Sequence, residues 1–255
     1  MNDLKTADNY YSGTSGLLLP VRNKLFYPEE FKDKSRLCYY SSLMNSIEIN
    51  SSFYKVPRAA TVHKWTEEVG DEFKFTFKLP KDITHQKGLV FSPEAVDHFM
   101  SVIALAGDQK GSLLIQFPPG LKISSSREVE QLLLRIRQND VAGEWHTAVE
   151  FRHPSFYHED VYDLLDEQQM AMVIHDKPPA ITPIRDNDSN FEYLRFHGPG
   201  GNYRGSYPDD VLMEYAEYIR DWLSEGRTIY TYFNNTMGEA IHNLETLRNF
   251  VRASG

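Results

Sequence analysis

Eight short runs with strand character recur along the chain with helical patterns between them, and this alternation restricts the fold more than any other feature. The runs lie near residues 10 to 14, 46 to 51, 73 to 78, 112 to 117, 147 to 152, 170 to 175, 191 to 197 and 228 to 234. Eight alternations in 255 residues fit an α/β fold of the (β/α)8, TIM-barrel-like kind. A doubly wound open sheet uses fewer strands and opens on a glycine-rich turn, and Gly13 to Gly16 is a weak match for such a dinucleotide loop. Irregularity is expected at strands 1 and 6, because Met170 to His175 is short and Lys177-Pro178-Pro179 ends it abruptly.

The intervening helices carry start signals. Ser92-Pro93-Glu94 combines a cap, a first-turn proline and an acid at the positive dipole end, ahead of Val96, Phe99, Met100 and Ile103 on one face. Ser125-x-x-Glu128 and Thr236-x-x-Glu239 read as capping boxes, and Pro208 introduces the stripe Leu212, Tyr215, Ala216, Ile219 and Trp222. With no linker, repeat or low-complexity tract, residues 1 to 255 read as a single domain, and 41% hydrophobic residues suffice for its core.

Charge and cysteine narrow the function classes. A formal charge of -9 disfavours a protein that coats nucleic acid or a membrane surface, while leaving room for a local basic pocket. The lone Cys38 allows no intramolecular disulfide and no thiolate cluster, and fits a reducing cytoplasm. Met1 to Asp8 lacks the apolar stretch of a secretory signal, and no apolar run is long enough to span a bilayer. A soluble cytoplasmic protein with no membrane partner is expected.

The polar residues gather at the strand ends. In Ser46 to Tyr54, Glu48 and Asn50 face one way while Ile47 and Ile49 pack behind them. A carboxylate inside a strand costs several kcal/mol unless a cation pairs with it. Alternation adds Thr76 and Lys78 from strand 3, Gln116 from strand 4, Glu150 and Arg152 from strand 5, Arg195 and His197 from strand 7, and Tyr232 and Asn234 from strand 8. All of these face the C-terminal mouth, where such barrels build their sites. Three cations against two carboxylates suit an anion, with Arg152 and Arg195 either holding it or neutralising Glu48 and Glu150. The loops from His197 to Arg204 and from Asn234 through Asn235 to Gly238 add glycines and a helix start, the usual elements of a phosphate site, or else simply make turns.

Other chemistries find less support. His85, His153, His175 and His197, with Glu48, Glu150 and Asp176, could surround a divalent metal, but no two form an i, i+4 ligand pair, so no metal or other cofactor is predicted. There is no Gly-x-Ser-x-Gly elbow. Glycoside hydrolysis by Glu48 and Glu150 is opposed by the neighbouring cations, which keep both acids ionised.

The chain resembles the DUF72 family, the YecE-like proteins. The matching stretches are Gly13-Thr14-Ser15-Gly16, Phe26-Tyr27-Pro28, Ile47 to Tyr54, Phe75 to Lys78, Ile83-Thr84-His85, Gln116 to Pro119, Val149 to His153, Leu194 to Gly198 and Tyr232 to Asn235. They span nearly the whole chain and are specific as a set. After Gly16 the family carries aromatic residues where this chain has Leu17-Leu18-Leu19. The resemblance implies a TIM-barrel-like fold and brings no established activity or substrate.

The resulting expectation is a site that binds a small anionic ligand bearing phosphate or carboxylate. Glu48, Glu150, Lys78 and His197 are its catalytic candidates, and Asn50, Tyr54, Gln116, Arg152, Arg195, Asn234 and Asn235 its binding residues. Hydrolysis of a phosphate ester or a lyase reaction is the enzymatic form of this reading. The alternatives are a phosphoesterase-like protein that processes nucleic acid, with Tyr54 and Tyr203 stacking on bases, and a non-catalytic binding or interaction protein.

Overall fold

A computed structural model of the chain describes residues 9 to 185, 187 and 189 to 253; the polar segment Met1 to Asp8 lies outside the described residues. Its strands are β1 (Tyr10–Thr14), β2 (Ser46–Ile49), β3 (Lys74–Lys78), β4 (Lys110–Gln116), β5 (His146–Glu150), β6 (Ala171–Met172), β7 (Ile174–His175), β8 (Phe191–Phe196) and β9 (Thr228–Phe233). All pairings are parallel, in two sheets of order β1-β9-β8-β7 and β2-β3-β4-β5-β6.

The two sheets meet along two seams, which makes the fold TIM-barrel-like. On one side β6 and β7 are halves of a single stave, β6 pairing with β5 and β7 with β8, and Val173 between them donates to the Val149 carbonyl at 2.8 Å. The sixth expected strand is thus broken because it changes partner midway. The first is regular. On the other side Ser15 bridges to Glu48, and the Gly16 amide donates to the Glu48 carbonyl at 2.8 Å. Gly13 permits this approach, since a Cβ there would lie 2.0 Å from the Ser46 carbonyl oxygen and 2.7 Å from the Tyr40 hydroxyl. Gly13→Ala is therefore expected to destabilise the fold by about 1–3 kcal/mol through overpacking at this seam. Urea denaturation showing no loss would mean that the seam is soft.

The helices are α1 (Arg36–Leu43), α2 (Ala59–Glu67), α3 (Lys81–Thr84), α4 (Pro93–Ile103), α5 (Ser126–Asn139), α6 (Glu159–Glu167), α7 (Asp209–Ser224) and α8 (Ala240–Arg252). Strand and helix alternate except after the sixth stave, where no helix occurs among the described residues between His175 and Phe191. That segment is tied to the barrel instead, by Thr182 Oγ1 donating to the Val173 carbonyl at 2.8 Å and by Tyr157 donating to the Ala180 carbonyl.

Ser92 caps α4 with Pro93 in its first turn, as expected. The two capping boxes do not form. Ser125 occupies the N-cap of α5 without a side-chain bond, and α8 begins only after Glu239, because residues 236 to 239 turn against the Tyr203–Gly205 loop. Pro208 sits at the N-cap of α7 and not within its first turn. No helix of the described residues is long and apolar enough to cross a membrane.

Two apolar clusters divide the interior. Phe75, Phe77, Ile115, Val149 and Leu194 point outward to the helices, whereas Leu114, Ala148, Val173, Tyr193, Tyr230 and Tyr232 fill the barrel. Buried tyrosine hydroxyls need partners. Tyr232 meets Ser46 Oγ at 2.5 Å and Thr76 Oγ1 at 2.7 Å, and Tyr230 meets His146 Nδ1 at 2.9 Å. Tyr193 packs on Tyr232 with ring centres 5.3 Å apart and is the layer on which the polar mouth rests.

Candidate functional site

Glu48 lies one residue before the end of β2 and Glu150 ends β5, and one guanidinium joins them. Arg195 of β8 donates to Glu48 from Nη2 at 2.8 Å and from Nε at 3.0 and 3.2 Å, and to Glu150 Oε2 from Nη1 at 3.1 Å. Tyr193, one pleat below on the same face of β8, donates to Glu48 Oε2 at 2.6 Å. All four side chains are buried. Burial by itself would raise the pKa of Glu48, but Arg195 outweighs it and holds the group below its ordinary value. Glu150 is opposed by burial in the same way and is held well below its ordinary value by Arg152 and Arg195. Both acids are ionised at neutral pH.

Arg152, just past β5, donates from Nε to Glu150 and from Nη2 to His197 Nε2 at 2.8 Å, and its buried Nη1 has no hydrogen-bond partner among the described residues. Because Arg195 Nη1 also approaches His197 Nε2, at 3.2 Å, that ring nitrogen faces two obligate donors and must be an acceptor. The His197 proton is accordingly assigned to Nδ1, which faces Asp176 Oδ1 at 3.3 Å. Burial, with Arg195 adding to it against the pull of Asp176, lowers the His197 pKa to about 4, so the ring is neutral. Asp176 also accepts from the His197 amide at 2.8 Å and from the Tyr207 hydroxyl.

Above this floor opens a cleft of about 380 Å³, within the usual range for small-molecule sites. Lys78, Lys81, Arg152 and Arg195 line it, together with Asn50, Gln116 and Asn234 and the rings of Phe53, Tyr54, His85 and Tyr203. Among the described residues no carboxylate lines it. Lys78 Nζ donates to Gln116 Oε1 at 2.8 Å and lies 4.1 Å from the centre of the Phe53 ring, while its own backbone is pinned by Ser52 Oγ, which receives the Lys78 amide at 3.1 Å. Gln116 is oriented in turn by donating to the Phe117 carbonyl at 2.9 Å. Burial, reinforced by Arg195, lowers the Lys78 pKa to about 7.

Asn50 no longer belongs to a strand, because β2 stops at Ile49 and a 3-10 turn covers Asn50–Phe53, yet its Oδ1 still reaches Arg195 Nη2 at 3.4 Å. Tyr54 is exposed on the rim beside Lys81. Asn235 does not line the cleft, and its Nδ2 donates to the Gly205 carbonyl at 3.1 Å and to Asn243 Oδ1 at 3.0 Å. The loop amides offered for an anion are also occupied: Gly198 donates to the Tyr207 hydroxyl, Met237 to the Tyr203 carbonyl, Gly238 to the Asn235 carbonyl and Glu239 to the Gly205 carbonyl.

Among the described residues no three of His, Cys, Asp and Glu stand together so as to hold a metal ion. The histidines have other partners. His175 faces the Phe151 carbonyl at 2.9 Å and receives the Lys177 amide at 3.2 Å, His153 meets Ser155 Oγ, and His85 meets Thr84 Oγ1.

Three residues that the structure brings to the candidate site were not among those expected. Tyr193 shares the inward face of Arg195 two residues away, so alternation alone could have found it. Phe53 and Lys81 follow the ends of β2 and β3 in short helical turns, where strand alternation no longer tells which way a side chain points.

A family model described as "Protein of unknown function DUF72" matches residues 11–255. The UPF0759 protein YunF of Bacillus subtilis is 23% identical over 242 residues, covering 83% of this chain and 84% of YunF. The UPF0759 protein YecE of Escherichia coli K12 is 30% identical over 118 residues, covering 46% of this chain and 42% of YecE. Among solved structures, a DUF72 family protein from Enterococcus faecalis superposes with a TM-score of 0.76 at 18% identity over 96% of each chain. A DUF72 family protein from Thermotoga maritima superposes with a TM-score of 0.73 at 26% identity, over 94% of this chain and 97% of that one.

Proposed function

The chain belongs to the DUF72 family, whose description assigns no activity, and from that premise we propose that its barrel mouth binds a small anionic ligand bearing phosphate or carboxylate. The observation that carries this reading is the lining of the cleft: four basic side chains and, among the described residues, no carboxylate, in a chain whose formal charge is -9. Glu48 and Glu150 lie behind the guanidiniums and hold them in place. The two acids and the two arginines cancel, which leaves Lys81, together with the protonated fraction of Lys78, as the surplus positive charge facing a ligand. Arg195 has its N–H groups committed to the acids, so the anion contact moves to Arg152, whose buried Nη1 is a donor lacking an acceptor. A buried unmet donor is costly, and a ligand oxygen would satisfy it.

Of the two reaction classes considered, hydrolysis by Glu48 and Glu150 draws less support. Both acids are buried, bound to arginine and ionised, so neither supplies a proton at neutral pH. A lyase-type reaction that uses the amine of Lys78 draws more.

Inorganic phosphate and 2-phosphoglycolate, titrated by calorimetry, test the binding. Arg152→Lys keeps the charge but loses the planar fork, and is expected to weaken binding about 10- to 100-fold, the worth of one charge-assisted contact. Equal binding by parent and variant, or none by either at millimolar ligand, would refute the assignment. A one-anion ligand should lose little affinity with added salt, whereas a steep salt slope would point to a nucleic acid gripped at several phosphates.

A further inference from the structure

We propose that Lys78 is an amine nucleophile that forms an imine with the carbonyl group of an anionic aldehyde or ketone held in the cleft. This rests on the anion-binding reading and deepens it, since it names the chemistry that accompanies the charge on the ligand.

The geometry distinguishes Lys78 from a counter-ion. No carboxylate lies within ion-pairing distance of its Nζ among the described residues; the acids of the site are taken by Arg152 and Arg195. Lys78 is 7% exposed at the end of β3, and its amine sits on the wall of the cleft between the face of Phe53 and Gln116 Oε1. A buried ammonium with no acid beside it is unfavourable, which is how barrel and other sites free an amine for attack. The charged and titratable groups around it are Arg195, Arg152, Glu150 and Glu48 on the floor, and His85 and Lys81 at the rim. Their balance, with burial dominant, brings Lys78 to about 7, so free amine is abundant at neutral pH.

The step balances without a further reactant. The Nζ lone pair adds to the carbonyl carbon, the C=O π pair moves to oxygen, and a proton passes from nitrogen to oxygen to give a carbinolamine. The hydroxyl then takes one proton from solvent and leaves as water, and the nitrogen lone pair closes a C=N bond to give a protonated imine. In sum, an ammonium and a carbonyl compound yield an iminium and water. The iminium carries the positive charge that the free amine lacked, directly facing the anionic group of its own ligand.

Pyridoxal 5′-phosphate, used only as a reporter aldehyde that carries a phosphate, tests the inference with the full-length chain. Reduction by borohydride fixes any imine as a stable secondary amine, and peptide mapping by mass spectrometry locates it. The expected result is preferential labelling of Lys78 with a pH midpoint near 7, protection by inorganic phosphate, much slower labelling by pyridoxal lacking the phosphate, and loss of the label in Lys78→Met. Phosphate-protected labelling at Lys81 with Lys78 unmodified would overturn the nucleophile and leave the anion cleft standing. Labelling spread over surface lysines, indifferent to phosphate, would overturn both. Modification of Lys78 that ignores phosphate on either partner would overturn the anionic class of the carbonyl compound.

Discussion

Arg195→Met is expected to lower the melting temperature by about 6–20 °C. One cation serves two fully buried acids, and removing one partner of a buried ion pair typically costs about 3–5 kcal/mol because the remaining charge is left without compensation. In a domain of this size each kcal/mol moves the transition by about 2–4 °C. Glu48 is the more exposed to this loss, because Glu150 keeps the cation Arg152 whereas Glu48 keeps the Tyr193 hydroxyl, a neutral donor. The effect also has a pH signature. In the parent both acids have folded pKa values depressed below 4.5, so their contribution is present above the unfolded pKa and lost as pH falls through the folded ones. In the variant, Glu48 is buried without a cation and its folded pKa should rise above the unfolded value. The penalty is then full at neutral pH and relieved as the acid is protonated. Urea denaturation from pH 8 down to pH 5 should show the variant recovering stability while the parent does not. A variant melting within a couple of degrees of the parent would show that the triad is not what holds the mouth together.

Lys78→Met is expected to act in the opposite direction, stabilising the fold at neutral pH by about 1–4 kcal/mol while abolishing anion binding. Replacing a buried, unpaired charge by an apolar side chain of similar length removes a desolvation cost and keeps the contact with Phe53. The sign follows from linkage. The folded pKa of Lys78 is lowered from 10.5 to about 7, so below about 7 both states carry the proton and the cost is full. Between about 7 and 10.5 the unfolded chain binds more protons, and parental stability from this group rises with pH. The advantage of the variant should therefore be largest near pH 6 and fade by pH 10, as read by paired melts across that range. A variant less stable than the parent at pH 6 would mean that the ammonium is well solvated or paired, which would remove the physical basis for its reactivity. Gain of stability with loss of binding is the pattern expected where a residue is kept for function.

Much of this arrangement was legible because a strand's two-residue period survives into three dimensions wherever the strand does. Glu48, Lys78, Gln116, Glu150 and Arg195 all lie within strands and all come to one mouth. Even the register shift between Phe75 and Phe77 leaves Lys78 on the inward face. Reading failed where backbone order changed type. Asn235 continues the polar run of Asn234 by sequence, but lies beyond β9 in a turn whose hydrogen bonds draw it to Gly205 and Asn243. Thr236 has the spacing of a cap, yet the loop from Tyr203 to Gly205 claims the amides of Met237 and Glu239 first. Tyr207, which braces Asp176, sits in a loop with no period to read and becomes visible only when that loop folds back on the barrel. The division of labour between two arginines was equally hidden, since alternation puts both at the mouth and only distances show that Arg195 serves the acids while Arg152 retains an unmet donor.

The stacked tyrosines inside the barrel have a consequence for traffic. Tyr193, Tyr230 and Tyr232 are buried, their hydroxyls are tied to Glu48, His146, Ser46 and Thr76, and burial is the first cause that holds each from ionising. Among the described residues the barrel axis is thus closed beneath the mouth. If a ligand binds as proposed, it would enter past Tyr54 and Tyr203 and leave the same way, so a departing molecule and the next arrival would contend for one opening.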